Sequence, residues 1–327
     1  MVRLGAGAEF DLIRALVGGA AALPPGVLLG PGDDCALLAG GAPLAVSVDM
    51  SVEGVHFRRG WLTPEEIGWR AAAAALSDLA AMAAEPVGIL LSLALTEDDA
   101  RTGVALELQR GATAAARSVG AAVIGGDLTS TAGPLTLDVV ALGRAGRPVL
   151  RSGGRPGDEL WVTGRLGGAA AAVLLWERGG EPAPDARRAF AHPEPRVREA
   201  LWLVETGAVR ALIDLSDGII GDAGHIAAAS GCRVIVEAKR VPAAEAALAA
   251  GADALRLALG GGEDYELCFA VAAGALDGRT EEFERCFGIP LTRVGTLAEG
   301  AGVELDAGDG SPPAPVTGGW RHFEGGR

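Results

Sequence analysis

Lysine is almost missing from this 327-residue sequence: Lys239 is the only one, and apart from the histidines every other basic side chain is an arginine. That scarcity excludes a Gly-x-x-x-x-Gly-Lys-Ser/Thr phosphate loop, which needs its lysine beside the β- and γ-phosphates. It equally excludes the protein-kinase arrangement of a strand lysine followed by a His-Arg-Asp loop. Cysteine is also sparse. Cys35, Cys232, Cys268 and Cys286 stand singly, with no Cys-x-x-Cys, so neither a zinc site nor a dithiol redox motif is suggested. They read as reduced, mostly buried thiols of a cytoplasmic protein. No apolar run is long enough for a transmembrane helix, so no membrane is expected as a partner. Met1 to Leu16 carries Glu9 and Asp11 and lacks a basic stretch followed by an apolar one, so no secretory signal is expected. Positive charge is in deficit overall. A net charge of -14 and a pI near 4.8 argue against nucleic acid as a partner. The same charge repels phosphorylated small molecules unless metal ions or local arginines intervene.

What is present is a chain 49% hydrophobic and long enough for two domains. A short helix is expected over 9–20 and a strand from Leu44 to Val48 with Asp49 just past its end. A helix is expected from Thr63, an N-cap before Pro64, to about Ala84, stopped by Pro86. A strand from Val87 to Leu95, a helix from Thr96 to Gly120, a strand from Ala121 to Ile124 and a strand from Leu135 to Gly143 follow. Gly146 to Gly157, rich in Gly, Pro and Arg, reads as a linker. Beyond it the alternation restarts, with strands at Glu159–Thr163, Ala211–Leu215, Val234–Glu237, Tyr265–Val271 and Leu291–Gly295. Helices are expected after Gly168, over Arg196–Thr206 and over Ile219–Ser230. Strand–helix alternation in both halves indicates an α/β or α+β protein whose two domains meet near residue 150.

Acidic residues flanked by small ones recur along the chain, most of them next to these strands: Gly32-Asp33-Asp34, Val48-Asp49, Ser77-Asp78, Gly125-Gly126-Asp127, Asp214-Leu215-Ser216-Asp217-Gly218 and Gly261-Gly262-Glu263-Asp264. Each alone is ordinary turn chemistry. Ser77-Asp78 is harder to explain that way, because it lies inside an alanine-rich helix where an aspartate is unfavourable and needs a partner. In Asp214 to Gly218, strand alternation puts Asp214 and Ser216 on one face, and the turn lets Asp217 join them. Two carboxylates and a hydroxyl so close suit a hard cation such as Mg²⁺, and the following helix offers amide donors to an anion. Two like charges 4 Å apart repel by about 4 kcal/mol at an effective dielectric of 20. Converging aspartates therefore require multivalent cations or raised pKa values.

The ordered set Gly-Asp-Asp-Cys-Ala-Leu-Leu (32–38), Val-Glu-Gly-Val-His-Phe (52–57), Leu-Ser-Asp-Leu-Ala-Ala-Met (76–82), Gly-Gly-Asp (125–127), Ile-Asp-Leu-Ser-Asp-Gly (213–218) and Gly-Gly-Glu-Asp-Tyr-Glu-Leu (261–267) resembles the thiamine-monophosphate kinases of the aminoimidazole ribonucleotide synthetase-like superfamily. The resemblance spans nearly the whole chain. It implies an α+β fold of the α/β sandwich type in two domains, 1–148 for ATP, metal and dimerisation and 149–327 completing the site. It also implies a homodimer formed through the N-terminal sheets. The reaction implied is ATP-dependent phosphorylation of thiamine monophosphate to thiamine diphosphate, with Mg²⁺ as cofactor and ATP as co-substrate. Carried over by motif, the metal ligands are Asp34, Ser47, Asp49, Asp78, Asp127, Asp214 and Asp217, with Val48 contributing only its carbonyl. Asp217, Asp127 and Asp49 are assigned to catalysis. Gly126, Asp127, Arg151 and Ser216 are assigned to ATP, and His56, Glu263 and Trp320 to the thiamine phosphate. Asp33 and Asp264 are expected to be bystanders.

A phosphate monoester with a second pKa of about 6 is already anionic near neutrality. The expected chemistry is thus direct in-line transfer with neither a general base nor a phosphoenzyme. The competing readings are another ATP-dependent enzyme of the superfamily and a non-catalytic, metal-dependent nucleotide sensor.

Overall fold

The computed structural model describes residues 27–29 and 33–318. The helix expected over 9–20, Gly32 and Trp320 lie outside the described residues. The first half begins with strands β1 (Val27–Leu29), β2 (Ala36–Leu38) and β3 (Leu44–Val52), followed by helix α1 (Pro64–Ala81) and β4 (Glu85–Leu95). Helices α2 (Glu97–Thr102) and α3 (Val104–Ser118), then β5 (Ala122–Ser130) and β6 (Thr136–Arg144), complete it. Its sheet runs β1-β2-β3-β6-β4-β5, antiparallel throughout except where α2 and α3 cross over between parallel β4 and β5.

Helix α1 starts where the sequence places it, with a capping box between Thr63 and Glu66 and Pro64 at the first position. It ends at Ala81, earlier than expected. Ala83 turns left-handed at φ 49, and the amide of Ala84 returns to Leu79 O, so the chain reverses before Pro86. Pro86 instead enters β4 beside a register irregularity, where a missing N–H is tolerated. The helix expected from Thr96 to Gly120 is broken at Gly103, which takes φ 86 and separates α2 from α3. Helices α1 and α3 cross in close contact: a Cβ on Gly68 would lie 1.9 Å from Leu108 O, and one on Gly111 would lie 1.8 Å from Glu65 O. Alanines and leucines of α1 and α3, with Ile89, Leu91, Leu93, Leu137 and Val139 from the sheet, form the first core.

Two strands are longer than the sequence suggested, and both carry residues that the motifs assign to the site. Asp49 lies within β3 rather than beyond it, because β3 pairs with β6 as far as Val52. Gly125-Gly126-Asp127 lies within β5, which pairs with β4 through Ser130.

The second half comprises β7 (Glu159–Thr163), α4 (Gly168–Glu177), α5 (Pro184–Ala191), α6 (Val197–Glu205), β8 (Val209–Asp214), α7 (Ile219–Ser230) and β9 (Arg233–Glu237). It continues with α8 (Glu245–Ala249), α9 (Ala254–Gly260), β10 (Leu267–Val271), α10 (Thr280–Phe287), β11 (Leu291–Ala298), β12 (Gly302–Asp306) and β13 (Ala314–Pro315). The seven strands run β13-β12-β9-β11-β7-β10-β8. Helix α7 packs on one face and α6 with α10 on the other. Covered on both sides, β10 is buried along its length and reads as an unbroken apolar run. The halves meet through Trp61, stacked on Trp176 with ring centroids 5.1 Å apart, and both rings abut Phe190. Cys35, Cys232 and Cys268 are buried, Cys286 is exposed, and all four are free thiols.

Candidate active site

Elements of both halves deliver carboxylates to one place. Asp34 precedes β2, Asp78 sits in the last turn of α1, and Asp214 ends β8. One oxygen from each lies within 4.8 Å of the others. The surrounding donors fix them. Ser77 Oγ donates to Asp214 Oδ2 at 2.6 Å, and Ser47 Oγ donates to Asp78 Oδ2. Arg151, from the linker, grips Asp34 with Nε at 2.9 Å and Nη2 at 2.7 Å. Ser47 reaches the group because it shares the core-facing side of β3 with Asp49 and Ser51, while Val48 and Met50 point outward. The Val48 side chain is thus exposed.

The electrostatics are those of like charges out of water. Burial, then Asp214 and Asp34, push the Asp78 carboxyl well above its ordinary range. Burial and Asp34 raise Asp214 to about 7. Burial raises Asp49 to about 6 against the pull of Arg70, and Asp49 in turn adds to the repulsion at Asp78. Asp33, expected to be a bystander, accepts the backbone amide of Arg151 at 3.3 Å and so holds the linker in place. Burial and Asp34 raise its carboxyl to about 7.

Asp217 is not in that triad. It forms a second group with Asp222 and His225 of α7, again with one ligand atom from each within 4.8 Å of the others. The amide of Asp217 donates to Asp222 Oδ2 at 3.1 Å. Asp222 and His225 were missed in the sequence. Their signal was spacing: three residues apart on a helix that opens directly after the Asp-Leu-Ser-Asp-Gly turn.

The loop 261–266 packs along residues 215–216. Glu263 N donates to Ser216 O at 2.8 Å, Tyr265 N to Leu215 O at 2.9 Å, and Leu215 N to Glu266 O at 2.7 Å. This pairing needs glycine, since a Cβ on Gly262 would lie 2.3 Å from Ser216 O. Glu263 itself takes φ 70 and pairs with buried Arg70, which also donates to Phe190 O at 2.9 Å. Asp264, the other expected bystander, accepts from Gly167 N at 2.7 Å and stabilises the start of α4. His56 accepts the Val52 amide on Nδ1 at 3.0 Å, in the turn after β3. Gly126 opposes Leu91 so closely that a Cβ would lie 1.9 Å from its carbonyl oxygen. Asp127, next to it, is exposed on edge strand β5 opposite Ser92 and joins neither carboxylate group. Among the described residues no helix is long and apolar enough to cross a membrane.

The donor set of Asp34, Asp78, Asp214 and Ser47 is all oxygen, buried except at half-buried Asp78, and short of positive charge, which fits a hard divalent cation. The chain matches the AIR synthase related protein N-terminal domain over residues 32–145 and the corresponding C-terminal domain over residues 155–308. It is 40% identical to a thiamine-monophosphate kinase of Mycobacterium tuberculosis over 80% of each chain. The crystal structure of thiamine-monophosphate kinase from Stenotrophomonas maltophilia K279a superposes with a TM-score of 0.75 at 38% identity, covering 93% of this chain and 97% of that one. AaThiL complexed with AMPPCP and TMP superposes with a TM-score of 0.81 at 28% identity, covering 98% and 97%. The chain belongs to the thiamine-monophosphate kinases, within the AIR synthase related proteins.

Proposed function

We infer that this chain transfers the γ-phosphoryl group of ATP to the phosphate of thiamine monophosphate, giving thiamine diphosphate and ADP. The observation that carries the reading is the carboxylate group built from both halves, Asp34 and Asp78 from one and Asp214 from the other. Asp34, Ser47, Asp78 and Asp214 would hold Mg²⁺, with Asp49 beside them and Asp217 in the adjoining group. Bound there, Mg²⁺ supplies charge neutralisation to two phosphate groups that otherwise repel each other and the site.

The protein's own residues position and bind. Arg151 presents a planar pair of donors that already engages a carboxylate bidentately, the geometry that phosphate also takes. Ser216 is pinned against the 261–266 loop and faces the nucleotide. Glu263, fixed by Arg70, offers a carboxylate to the cationic thiamine moiety, and His56 flanks the acceptor phosphate. Gly126 and Asp127 are assigned to ATP, the carbonyl of Val48 to metal and Trp320 to the thiamine on their motifs alone. No group acts as general base, because the acceptor oxygen is already anionic. The enzyme works in the cytoplasm as a homodimer, paired through the sheet face where Val48 and Met50 are exposed.

A coupled ADP-release assay across phosphorylated acceptors tests this reading. ADP formation that depends on thiamine monophosphate is expected. Nucleotide binding without turnover on any acceptor would favour a sensor.

A further inference from the structure

Tyr265 is the only tyrosine in the chain, and it is not placed as a core residue. It is 7% exposed yet joins none of the apolar clusters of the described residues. Its hydroxyl has no hydrogen-bond partner among those residues. Nor is it one of their enclosed, unpaired polar atoms, which are Asp138 Oδ1, Arg233 Nε and Arg293 Nε, so it opens onto space that a ligand can fill. A tyrosine buried this far usually finds a partner for its hydroxyl, because an unmade bond costs free energy. We propose that Tyr265 is a substrate-binding residue whose hydroxyl donates a hydrogen bond to the acceptor phosphate of thiamine monophosphate.

The backbone shows that this placement is held against a cost. Tyr265 takes φ 51 and Glu263 takes φ 70; among the described residues only Ala83 is a third residue other than glycine with positive φ. A bulky side chain in the left-handed region is an outlier, and such residues persist where the surroundings over-determine them. Here both flanks are fixed. The Tyr265 amide donates to Leu215 O at 2.9 Å, and Leu215 N returns to Glu266 O at 2.7 Å. Glu266 is clamped in turn by Arg196, with Nε at 2.9 Å and Nη2 at 2.6 Å, and by Thr163 Oγ1 at 2.6 Å. Tyr265 is thereby locked beside Leu215, whose chain neighbours are Asp214 and Ser216, and two residues after Glu263. Burial, then the charge of Glu263, push its phenol up, with Arg70 opposing and Asp49 and Asp214 adding. The hydroxyl thus lies between the carboxylate that faces the thiamine cation and the carboxylates that face metal, where the phosphate of the same substrate must sit. A phenol is protonated near neutrality in any case. It offers a phosphate oxygen a directed donor without adding charge, so it does not compete with the metal for the carboxylates. A hydroxyl left unpaired without a phosphate also disfavours thiamine that carries none.

The inference rests on the reading of thiamine monophosphate as the acceptor, and the test separates the two. A single tyrosine makes the chain its own probe: grown with ¹³Cζ-tyrosine, it gives one tyrosine resonance. With Mg²⁺ present, thiamine monophosphate is expected to shift that resonance, while thiamine or a non-hydrolysable ATP analogue leaves it in place. Tyr265→Phe keeps the ring, and its KM for thiamine monophosphate should rise by about tenfold or more with the KM for ATP unchanged. A resonance unmoved at saturating thiamine monophosphate overturns the proposal. So does an equal shift from thiamine or the ATP analogue, or an unchanged KM in a folded Tyr265→Phe chain. In each of these cases ADP formation dependent on thiamine monophosphate leaves the assigned reaction standing. No ADP formation from thiamine monophosphate in the unmodified chain overturns the reaction and the proposal together. The resonance of the unmodified chain decides the question even if the variant does not fold.

Discussion

Ser77, on helix α1 of the first half, donates a 2.6 Å hydrogen bond to Asp214 Oδ2 at the end of β8 in the second. Ser77 is fully buried and Asp214 nearly so. The bond therefore ties the two halves at the carboxylate group and helps offset the burial of Asp214. Ser77→Ala removes the donor and leaves a buried acceptor short of a partner. The expected cost is about 2 kcal/mol at pH 8, where Asp214 is ionised, and about 1 kcal/mol at pH 5, where it is protonated. Urea unfolding at the two pH values measures the difference.

The raised carboxyls set a pH dependence whose sign changes with metal. Asp214 and Asp33 stand at about 7 and Asp49 at about 6 in the folded chain, above their unfolded values. The folded state therefore binds more protons than the unfolded one over this range. Without metal, stability is greatest in mild acid and is lost as pH rises from about 4 through about 7. Below that window the opposite group takes over: against burial, Arg187 and Thr63 hold Glu66 at about 2, and Arg59 holds Asp99 below the usual carboxylate range. Metal must displace the bound protons, so its stabilisation grows with pH. Thermal melts at pH 5, 6, 7 and 8 should show Tm falling in chelator and the Mg²⁺-induced rise widening.

Arg70 is 3% exposed, pairs with Glu263 and lies 3.8 Å over the ring of Phe190. Replacing it leaves Glu263 without its counter-ion in a loop that already holds φ 70. Arg70→Met should cost about 3 kcal/mol and raise the KM for thiamine monophosphate more than it lowers kcat. A double-mutant cycle with Glu263→Gln checks it: the pair should cost less than the sum of the two single changes.

The crossing of α1 and α3 depends on Gly68, where a Cβ would meet the Leu108 carbonyl at 1.9 Å. Backbone cannot swing aside as a flexible side chain can. Gly68→Ala should destabilise by about 2–3 kcal/mol, read from the midpoint of chemical denaturation, despite the better helix propensity of alanine.

The sequence carried most of what is local. Strand Glu159–Thr163 and helix Ile219–Ser230 fall where their periodicity and flanking glycines put them. Thr63 and Pro64 announced the start of α1. Ends set by pairing were not legible: β3 and β5 run on because β6 and β4 continue beside them, which no short window records. The motif residues Asp34, Asp78 and Asp214 are brought together, as their shared acidity and small neighbours suggested. Arg70, Asp222 and His225 escaped notice because each resembles an ordinary helical residue until the fold supplies its partner. Asp33 and Asp264 are outside the triad, yet one anchors the linker and the other the start of α4.

The central claim is that buried, mutually repelling carboxylates are kept for a metal that serves phosphoryl transfer. Asp78→Asn tests it most directly, because the amide preserves shape and an acceptor for Ser47 while removing one charge. The measurement is ADP formation dependent on thiamine monophosphate across a Mg²⁺ titration, with the metal-free Tm as the control for folding. The account predicts turnover lower by about 100-fold or more, with a Tm that is unchanged or higher. Near-normal turnover at ordinary Mg²⁺ in a folded Asp78→Asn chain would contradict it.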